Sequence, residues 1–106
     1  ELGLDQIDAR FFRVLRQFEP FGPQQEAPVF LSRDVTVYGQ AQVVGENHLK
    51  LTIVQDNSPA FSCIGFGLGQ HADRINTGKP FSVCYVMEEN IWRGKHNLQL
   101  NLKDIR

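Results

Sequence analysis

The spacing of apolar residues changes once along this chain, and the change limits the folds that the chain can adopt. Residues 5–18 carry apolar side chains at helical spacing. Beyond a connector rich in proline and glycine, apolar and polar residues alternate with a period of two, which is typical of half-buried strands. The sequence therefore predicts one amphipathic helix followed by a mainly β region. The apolar residues of the helical stripe are Ile7, Phe11, Val14, Leu15 and Phe18.

The predicted helix has recognisable ends and a charged face. Asp5 or Asp8 can cap its start. Glu19 precedes Pro20 and is pushed out of the helical region, so the helix is expected to end there. Three arginines lie opposite the apolar stripe and form a solvated face or, alternatively, contact phosphate or another domain. They are Arg10, Arg13 and Arg16.

Five strand candidates follow the connector. The first is long and carries Gly39 near its middle, where a glycine often marks a bend or bulge. The third is expected to be buried on both faces, and residues 67–79 hold at most a short helix around Gln70–Ile75. The predicted strands are Asp34–Gly45, His48–Gln55, Ala60–Phe66, Pro80–Glu88 and His96–Lys103. The residues expected to face inward on the first strand are Val35, Val37, Ala41 and Val43.

Three meandering strands, a short link and a hairpin follow the order of the OB fold, a five-stranded partly open barrel. A long first strand bent at a glycine suits this fold, because that strand must curve to join both halves of the barrel. An SH3-like barrel is the nearest alternative and normally lacks the link. We therefore predict a mainly β chain with an OB-fold barrel in residues 31–106. A lead-in helix and Pro/Gly connector in residues 1–30 precede it.

Length and charge restrict the function classes. The chain has 106 residues, enough for one domain, and a formal net charge of −1. A domain that binds nucleic acid by charge alone is usually basic throughout, so tight autonomous binding is disfavoured, while a local basic groove stays open. No run approaches the roughly 20 apolar residues of a membrane span, so no membrane partner is expected.

The cysteines and the chain ends give two further expectations. Cys63 and Cys84 fall in apolar strand-like runs, and we expect two buried free thiols in a reducing, cytoplasmic compartment rather than a disulfide. The chain begins at Glu1 and ends at Arg106 directly after a strand pattern. We therefore expect a piece of a longer polypeptide.

The residues do not point to catalysis by this chain. Gly65–Gly69 is rich in glycine like a dinucleotide loop, but its third glycine is misplaced and no βαβ unit follows. The three histidines lack the spacing of metal ligands, and the acidic residues are scattered over strand ends and turns. We predict no catalytic residue, no metal ligand and no cofactor in this chain.

The segment between the last two strands is the best candidate for ligand contact. It is predicted as a loop, residues 89–95, and it places Trp92 beside Arg93 and Lys95. In OB folds this loop borders the binding face. A base can stack on an indole while the cations hold phosphates. The alternative is that Trp92 plugs the barrel or packs on another domain.

Two outward strand faces complete the candidate site. Polar residues of the first two strands form a possible stacking and phosphate platform, and amides of the last strand offer donors and acceptors. A solvated face explains each residue taken alone. The outward residues of the last strand are Asn97, Gln99, Asn101 and Lys103. The candidate nucleic-acid-binding residues are Arg33, Tyr38, His48, Lys50, Trp92, Arg93, Lys95, Asn97 and Gln99.

Five short motifs, in order over residues 11–106, resemble a known family. The run LRQFEPFGPQQEAPVF at 15–30 resembles the LEPFGxGNPxPxF junction of RecJ-type single-stranded-DNA-specific exonucleases. Gln25 and Ala27 depart from that junction pattern. The run VGENHLKL at 44–51 is similar to the family's vGxxHLKL hairpin. The other similarities are IGFG at 64–67, NIWRG at 90–94 with LQL at 98–100, and KDIR at 103–106.

The resemblance implies a parent enzyme that degrades single-stranded DNA from the 5′ end with a divalent metal, usually Mn²⁺ or Mg²⁺. The family's catalytic motifs lie upstream and are absent from this chain, which resembles the OB domain with its lead-in helix. The implied partners are single-stranded DNA, the upstream catalytic domains of the same chain and a single-strand binding protein. The alternative is a structural or protein-interaction module that braces the nuclease core or docks a partner.

Overall fold

The computed structural model describes residues 1–17 and 27–106, with the backbone but not the side chain of Trp92. Within these residues, two helices, two 3-10 turns and six strands form. The 3-10 turns span Leu4–Gln6 and Gly69–His71, and the helices are α1 (Ala9–Arg16) and α2 (Ala72–Ile75). The strands are β1 (Phe30–Val37), β2 (Gln42–Val44), β3 (His48–Val54), β4 (Phe61–Gly65), β5 (Phe81–Trp92) and β6 (Lys95–Ile105).

Strand pairing closes a ring. β1 pairs with both β3 and β5, β5 pairs with β6, and β4 pairs with β3. β6 and β4 run parallel, while the other pairs are antiparallel. The ring therefore contains five strands, and β2 extends the sheet along β3. α2 follows β4, where the sequence predicts a short helical link. The arrangement is consistent with an OB-like fold, so the predicted fold class is confirmed.

Alternation with a period of two places one side of each strand in the core. Leu49, Leu51 and Ile53 of β3 are buried, as predicted, and the residues between them face away from the core. Fully burying one such side chain contributes roughly 1.5–3 kcal/mol. The same alternation holds in β5, whose buried residues include Phe81, Val83, Tyr85 and Met87.

The N-terminal segment packs into the core of the ring. Leu2, Leu4 and Ile7 are buried, and the Leu2 amide donates a hydrogen bond of 2.7 Å to the carbonyl oxygen of Leu31 in β1. This contact fixes the segment along the start of β1. The division into a lead-in at 1–30 and a strand domain at 31–106 remains a prediction.

The sequence predicts a single helix that begins at residue 5, and this start is wrong because α1 begins at Ala9. Ile7 has an extended backbone (φ −86°, ψ 97°), which separates the first 3-10 turn from α1. The Asp8 carboxylate accepts a 2.7 Å hydrogen bond from the Phe11 amide, so Asp8 is the N-cap, one of the two residues expected in that role. The break lets Ile7 enter the core while α1 lies outside. The expected end at Glu19 lies outside the described residues, and α1 itself ends at Arg16 with Gln17 as its C-cap.

The long first strand is divided by the predicted bend. Gly39 has a φ of +77°, which favours glycine, and it lies between β1 and β2. Val35 and Ala41 are buried as expected, but Val43 is 50% exposed, so its inward placement is wrong. The bend changes the direction of the chain, and the side-chain alternation of β1 does not continue into β2.

Three further expectations about the strands are corrected. β4 is not buried on both faces, because Ser62 is exposed and Phe66, just past the strand end, is 62% exposed. Residues 89–95 are not a loop, because β5 and β6 continue as paired strands to Trp92 and Lys95. Asn101, predicted to face solvent, is only 9% exposed.

Candidate nucleic-acid interface

The outer side of β3 and β4 carries the first group of candidate residues. Lys50 lies opposite Ile64 and Thr52 lies opposite Ser62, and directly opposed residues of antiparallel strands point to the same side of a sheet. The residues between them are in the core, so these four side chains point away from it. Lys50 is exposed and bears a positive charge in the middle of this surface.

Two aromatic rings lie beside each other at one end of this surface. The ring centroids of His48 and Phe66 are 5.4 Å apart, in an edge-on arrangement with an interplanar angle of 75°. The Gly67 amide donates a 3.1 Å hydrogen bond to Nδ1 of His48, which fixes the orientation of the imidazole. Because Nδ1 accepts this hydrogen bond, the neutral ring carries its proton on Nε2. Phe66 is held against an oriented ring and still presents most of its surface to solvent.

Tyr38 provides a second exposed ring on the same side of the sheet. Its amide donates a 2.8 Å hydrogen bond to the carbonyl oxygen of Thr52, which places it opposite an outward-facing residue. The Tyr38 side chain is 67% exposed. We name Tyr38, His48, Lys50 and Phe66 the aromatic platform.

Sequence reasoning found three members of the platform and missed Phe66. The signal for Phe66 is present in the chain. Phe61 and Cys63 are buried core residues of β4, and continuing their alternation past Gly65 places Phe66 outside. An expectation of burial on both faces obscured this pattern.

A cleft of about 660 Å³ continues from the platform towards the β5–β6 hairpin. Ser62 lies in the cleft and, through its pairing with Thr52, adjoins the platform. Asn90 and Gln99 are joined by a 3.1 Å hydrogen bond from Nδ2 to Oε1, so two amide groups form one polar wall. The residues lining the cleft are Ala60, Ser62, Asn90, Ile91, Asn97, Leu98 and Gln99. The structure thus places the predicted residues Asn97 and Gln99 together in this cleft.

The tip of the β5–β6 hairpin is a two-residue turn. Trp92 pairs with Lys95, and the two residues between them, Arg93 and Gly94, have φ values of +50° and +75°. Positive φ at both central positions is the requirement of a type I′ turn, whose twist matches that of the flanking strands. The turn presents the exposed side chains of Arg93 and Lys95 beyond the amide cleft. The Trp92 side chain lies outside the described part of the structure, so its predicted role stays a prediction.

Comparison with known proteins identifies the family of this chain. The family model described as the RecJ OB domain matches residues 1–104. The chain belongs to the RecJ OB domain family. It is also 28% identical over 104 residues to the single-stranded-DNA-specific exonuclease RecJ of Bacillus subtilis (strain 168), covering 96% of this chain. The match spans 13% of that relative's length, so this RecJ OB domain corresponds to a small part of such a protein.

Arg33 is the candidate residue with the weakest connection to the platform. Its Nε lies 3.2 Å from a carboxylate oxygen of Glu1, and its carbonyl oxygen accepts a 2.6 Å hydrogen bond from Gln55. These contacts connect Arg33 to the N-terminal segment and to the end of β3. Its role as a DNA contact in this RecJ OB domain stays a prediction.

The potential metal-binding side chains that the structure describes do not converge. No group of three or more His, Cys, Asp or Glu side chains that could hold a metal ion occurs in residues 1–17 and 27–106. Cys63 and Cys84 are free, as predicted, but only Cys63 is buried, and Cys84 is half-buried. Burial raises the pKa of the Cys63 thiol to about 12, so this side chain is neutral near pH 7.

Across the described chain, no helix is long and apolar enough to cross a membrane.

Proposed function

We propose that this RecJ OB domain binds single-stranded DNA along the aromatic platform and the adjoining amide cleft. The observation that carries the proposal is the exposure of Tyr38 and Phe66 on the same outer side of the sheet as Lys50. Exposed aromatic rings on a strand surface offer faces on which bases stack, and each stacked base contributes roughly 1–3 kcal/mol. In a duplex the base faces are covered by neighbouring bases, so a duplex gains no stacking energy on these rings.

Charge explains why the affinity of the domain alone should be modest. The net charge of −1 supplies no general attraction for a polyanion. Lys50 on the platform and the exposed Arg93 and Lys95 at the hairpin tip provide local positive charge along one path. We therefore expect weak binding with a shallow salt dependence.

The decisive experiment is fluorescence anisotropy with a labelled single-stranded oligonucleotide and the matching duplex, over a salt series. Tyr38→Ala and Phe66→Ala should each weaken single-strand binding about fivefold to a hundredfold, which corresponds to roughly 1–3 kcal/mol. Val14→Ala, at a half-exposed apolar position on α1, is the matched control and should leave binding unchanged. Equal affinity for duplex, or no binding up to millimolar protein, would refute the proposal.

The parent protein is proposed to be a RecJ-like exonuclease that degrades single strands from the 5′ end in DNA repair and recombination in the cytoplasm. In this proposal the divalent ion, Mn²⁺ or Mg²⁺, and the catalytic residues belong to other domains. This domain holds and positions the strand. Purified fragment with measurable metal-dependent nuclease activity would contradict the non-catalytic role.

A second candidate function is bracing of the nuclease core or docking of a partner protein such as a single-strand binding protein. The observation that favours it is a groove of about 400 Å³ with almost entirely apolar walls, between α1 and the start of β1. Its lining residues are Phe11, Val14, Leu15, Pro28 and Phe30. In this reading the catalytic domains of the same polypeptide cover the groove.

A pair of substitutions separates the two candidates. Val14→Asp should weaken assembly with separately produced catalytic domains and leave single-strand binding intact, if the groove braces the nuclease. Trp92→Ala with Lys95→Ala tests the hairpin in the same two assays. Unchanged DNA binding with failed assembly in the hairpin variant would favour the bracing function over the DNA-binding one.

A further inference from the structure

Asn101 occupies an unusual position on β6. Its neighbours Leu100 and Leu102 are in the core, so the Asn101 side chain points to the outer side of the sheet. It lies opposite Ile64 of β4 and Val86 of β5, which continues the row of outward residues that begins at Lys50. An outward strand residue is normally exposed to solvent, yet Asn101 is only 9% exposed.

The side-chain carbonyl oxygen of Asn101 is buried and has no hydrogen-bond partner in the described residues. Leaving a buried acceptor unpaired is unfavourable, and each such group in a folded protein calls for an explanation. The Asn101 side chain lines a cavity of about 420 Å³, a size within the range of small-molecule sites. The cavity is bounded by Ala27, Val29, Val86, Glu88, Asn101 and Lys103.

The walls of this cavity define the chemistry of its ligand. Val29 and Val86 provide apolar walls, and Asn101, which lies opposite Val86, brings an amide group to the same cavity. The exposed Glu88 carboxylate is a second acceptor, and the exposed Lys103 ammonium can hold a phosphate. The Asn101 acceptor can turn towards the cavity because the terminal torsion of asparagine is soft.

We infer that this cavity is a nucleobase subsite selective for a base that carries an exocyclic amino group, seated next to the aromatic platform. Cytosine presents its N4 amino group as a donor, and carboxylates accept from that group. Thymine presents a carbonyl oxygen at the same position, which would face the acceptors of Asn101 and Glu88. The inference rests on the proposed binding of single-stranded DNA and adds a base preference to it.

The test compares oligo(dC) and oligo(dT) of equal length by fluorescence anisotropy with the 106-residue chain. Gain of one hydrogen bond predicts roughly threefold to tenfold tighter binding of oligo(dC). Asn101→Leu, which keeps the branched shape and removes one of the two acceptors, should reduce this difference to the part that Glu88 supplies and should retain oligo(dT) binding. Circular dichroism checks that the variant is folded.

The outcomes separate the inference from the proposed function. Equal affinities in the unaltered domain, or a cytosine preference that is undiminished in Asn101→Leu, would overturn the subsite. Failure of both oligonucleotides to bind would overturn the proposed function and the subsite with it. A measurement that needs no variant is NMR of backbone amides with deoxycytidine or thymidine monophosphate. Val86 and Asn101 should shift more with the cytosine nucleotide, and equal shifts would count against the subsite.

Discussion

Ser32 and Tyr85 share a buried hydrogen bond of 2.8 Å between Oγ and the phenolic oxygen. Ser32 donates its own proton to the carbonyl oxygen of Leu2 at 2.7 Å, so Tyr85 must be the donor to Ser32. This chain of two hydrogen bonds joins β5, β1 and the N-terminal segment inside the core.

Ser32→Ala should therefore destabilise the domain more than Tyr85→Phe. The serine variant leaves both the Tyr85 hydroxyl and the Leu2 carbonyl without their partner, at about 1–3 kcal/mol for each buried group. The tyrosine variant removes one donor and keeps the Ser32–Leu2 hydrogen bond, at about 0.5–1.5 kcal/mol. Urea unfolding measures both, and the reverse order would show that the proton assignment is wrong.

The buried thiol of Cys63 should make the domain less stable in alkaline solution. Burial raises the pKa of its thiol from 9.0 to about 12, so the folded protein holds this proton at a pH where the unfolded chain has released it. The stability contributed by the neutral thiol is complete below pH 9.0 and is lost as pH rises through about 12. Burial also raises the pKa of the Tyr85 hydroxyl, which adds to the loss.

Urea midpoints between pH 8 and pH 11 test this dependence. Cys63→Ala should flatten the alkaline part of the curve, while Cys84→Ala, which keeps the buried thiol, should retain its slope. Identical slopes in all three proteins would exclude Cys63 as the source.

Gly69 permits the β2–β3 turn to pack against the link after β4. A Cβ atom at this position would lie 2.5 Å from Oδ1 and 3.1 Å from the backbone carbonyl carbon of Asn47. Gly69→Ala should cost about 1–3 kcal/mol, because the backbone of Asn47 must move. Gly3→Ala is the matched control, since the one close contact of its Cβ, at 2.7 Å, would be with the end of the flexible Asp5 side chain. Thermal unfolding should show a clear drop for the first variant and little for the second.

The fold was predictable where burial alone decides the pattern. The strict alternation of Leu49, Leu51 and Ile53 specifies a strand with one core face, and Gly39 specifies the bend between β1 and β2. The hairpin extension was not predictable from polarity, because Glu89 to Lys95 carry no apolar alternation. Backbone pairing between β5 and β6 and the positive φ values of Arg93 and Gly94 produce it instead.

The site was predictable in part for a similar reason. His48 and Lys50 lie on β3 and Tyr38 directly follows β1, and the inward residues of these segments are recognisable in the sequence, so the outward placement of the three follows. The burial of Asn101 is not visible in the sequence, because its surroundings include Ala27 and Val29, which lie far from it in the chain. Contacts between segments distant in the chain leave no local pattern.

Lys50 should contribute to the salt dependence of DNA binding. Loss of one phosphate contact lowers the slope of log affinity against log salt by about 0.7 for a single strand. Lys50→Ala should show this change, while Lys79→Ala, an exposed lysine between α2 and β5, should not. Anisotropy titrations at four or more salt concentrations give the slopes. A similar decrease in both variants would mean that only overall charge matters.

The substitution Asn101→Leu should raise the stability of the domain and weaken its preference for cytosine. Replacing it by leucine removes a buried unpaired oxygen and adds apolar contacts with Val86 and Ile64, so unfolding should become harder by about 1 kcal/mol or more. Asn97→Leu, at an exposed position on the same strand, should change stability little. Urea unfolding checks both variants. If Asn101→Leu lowers stability, the oxygen has a partner in solution, and no unpaired acceptor is left for a ligand at this position.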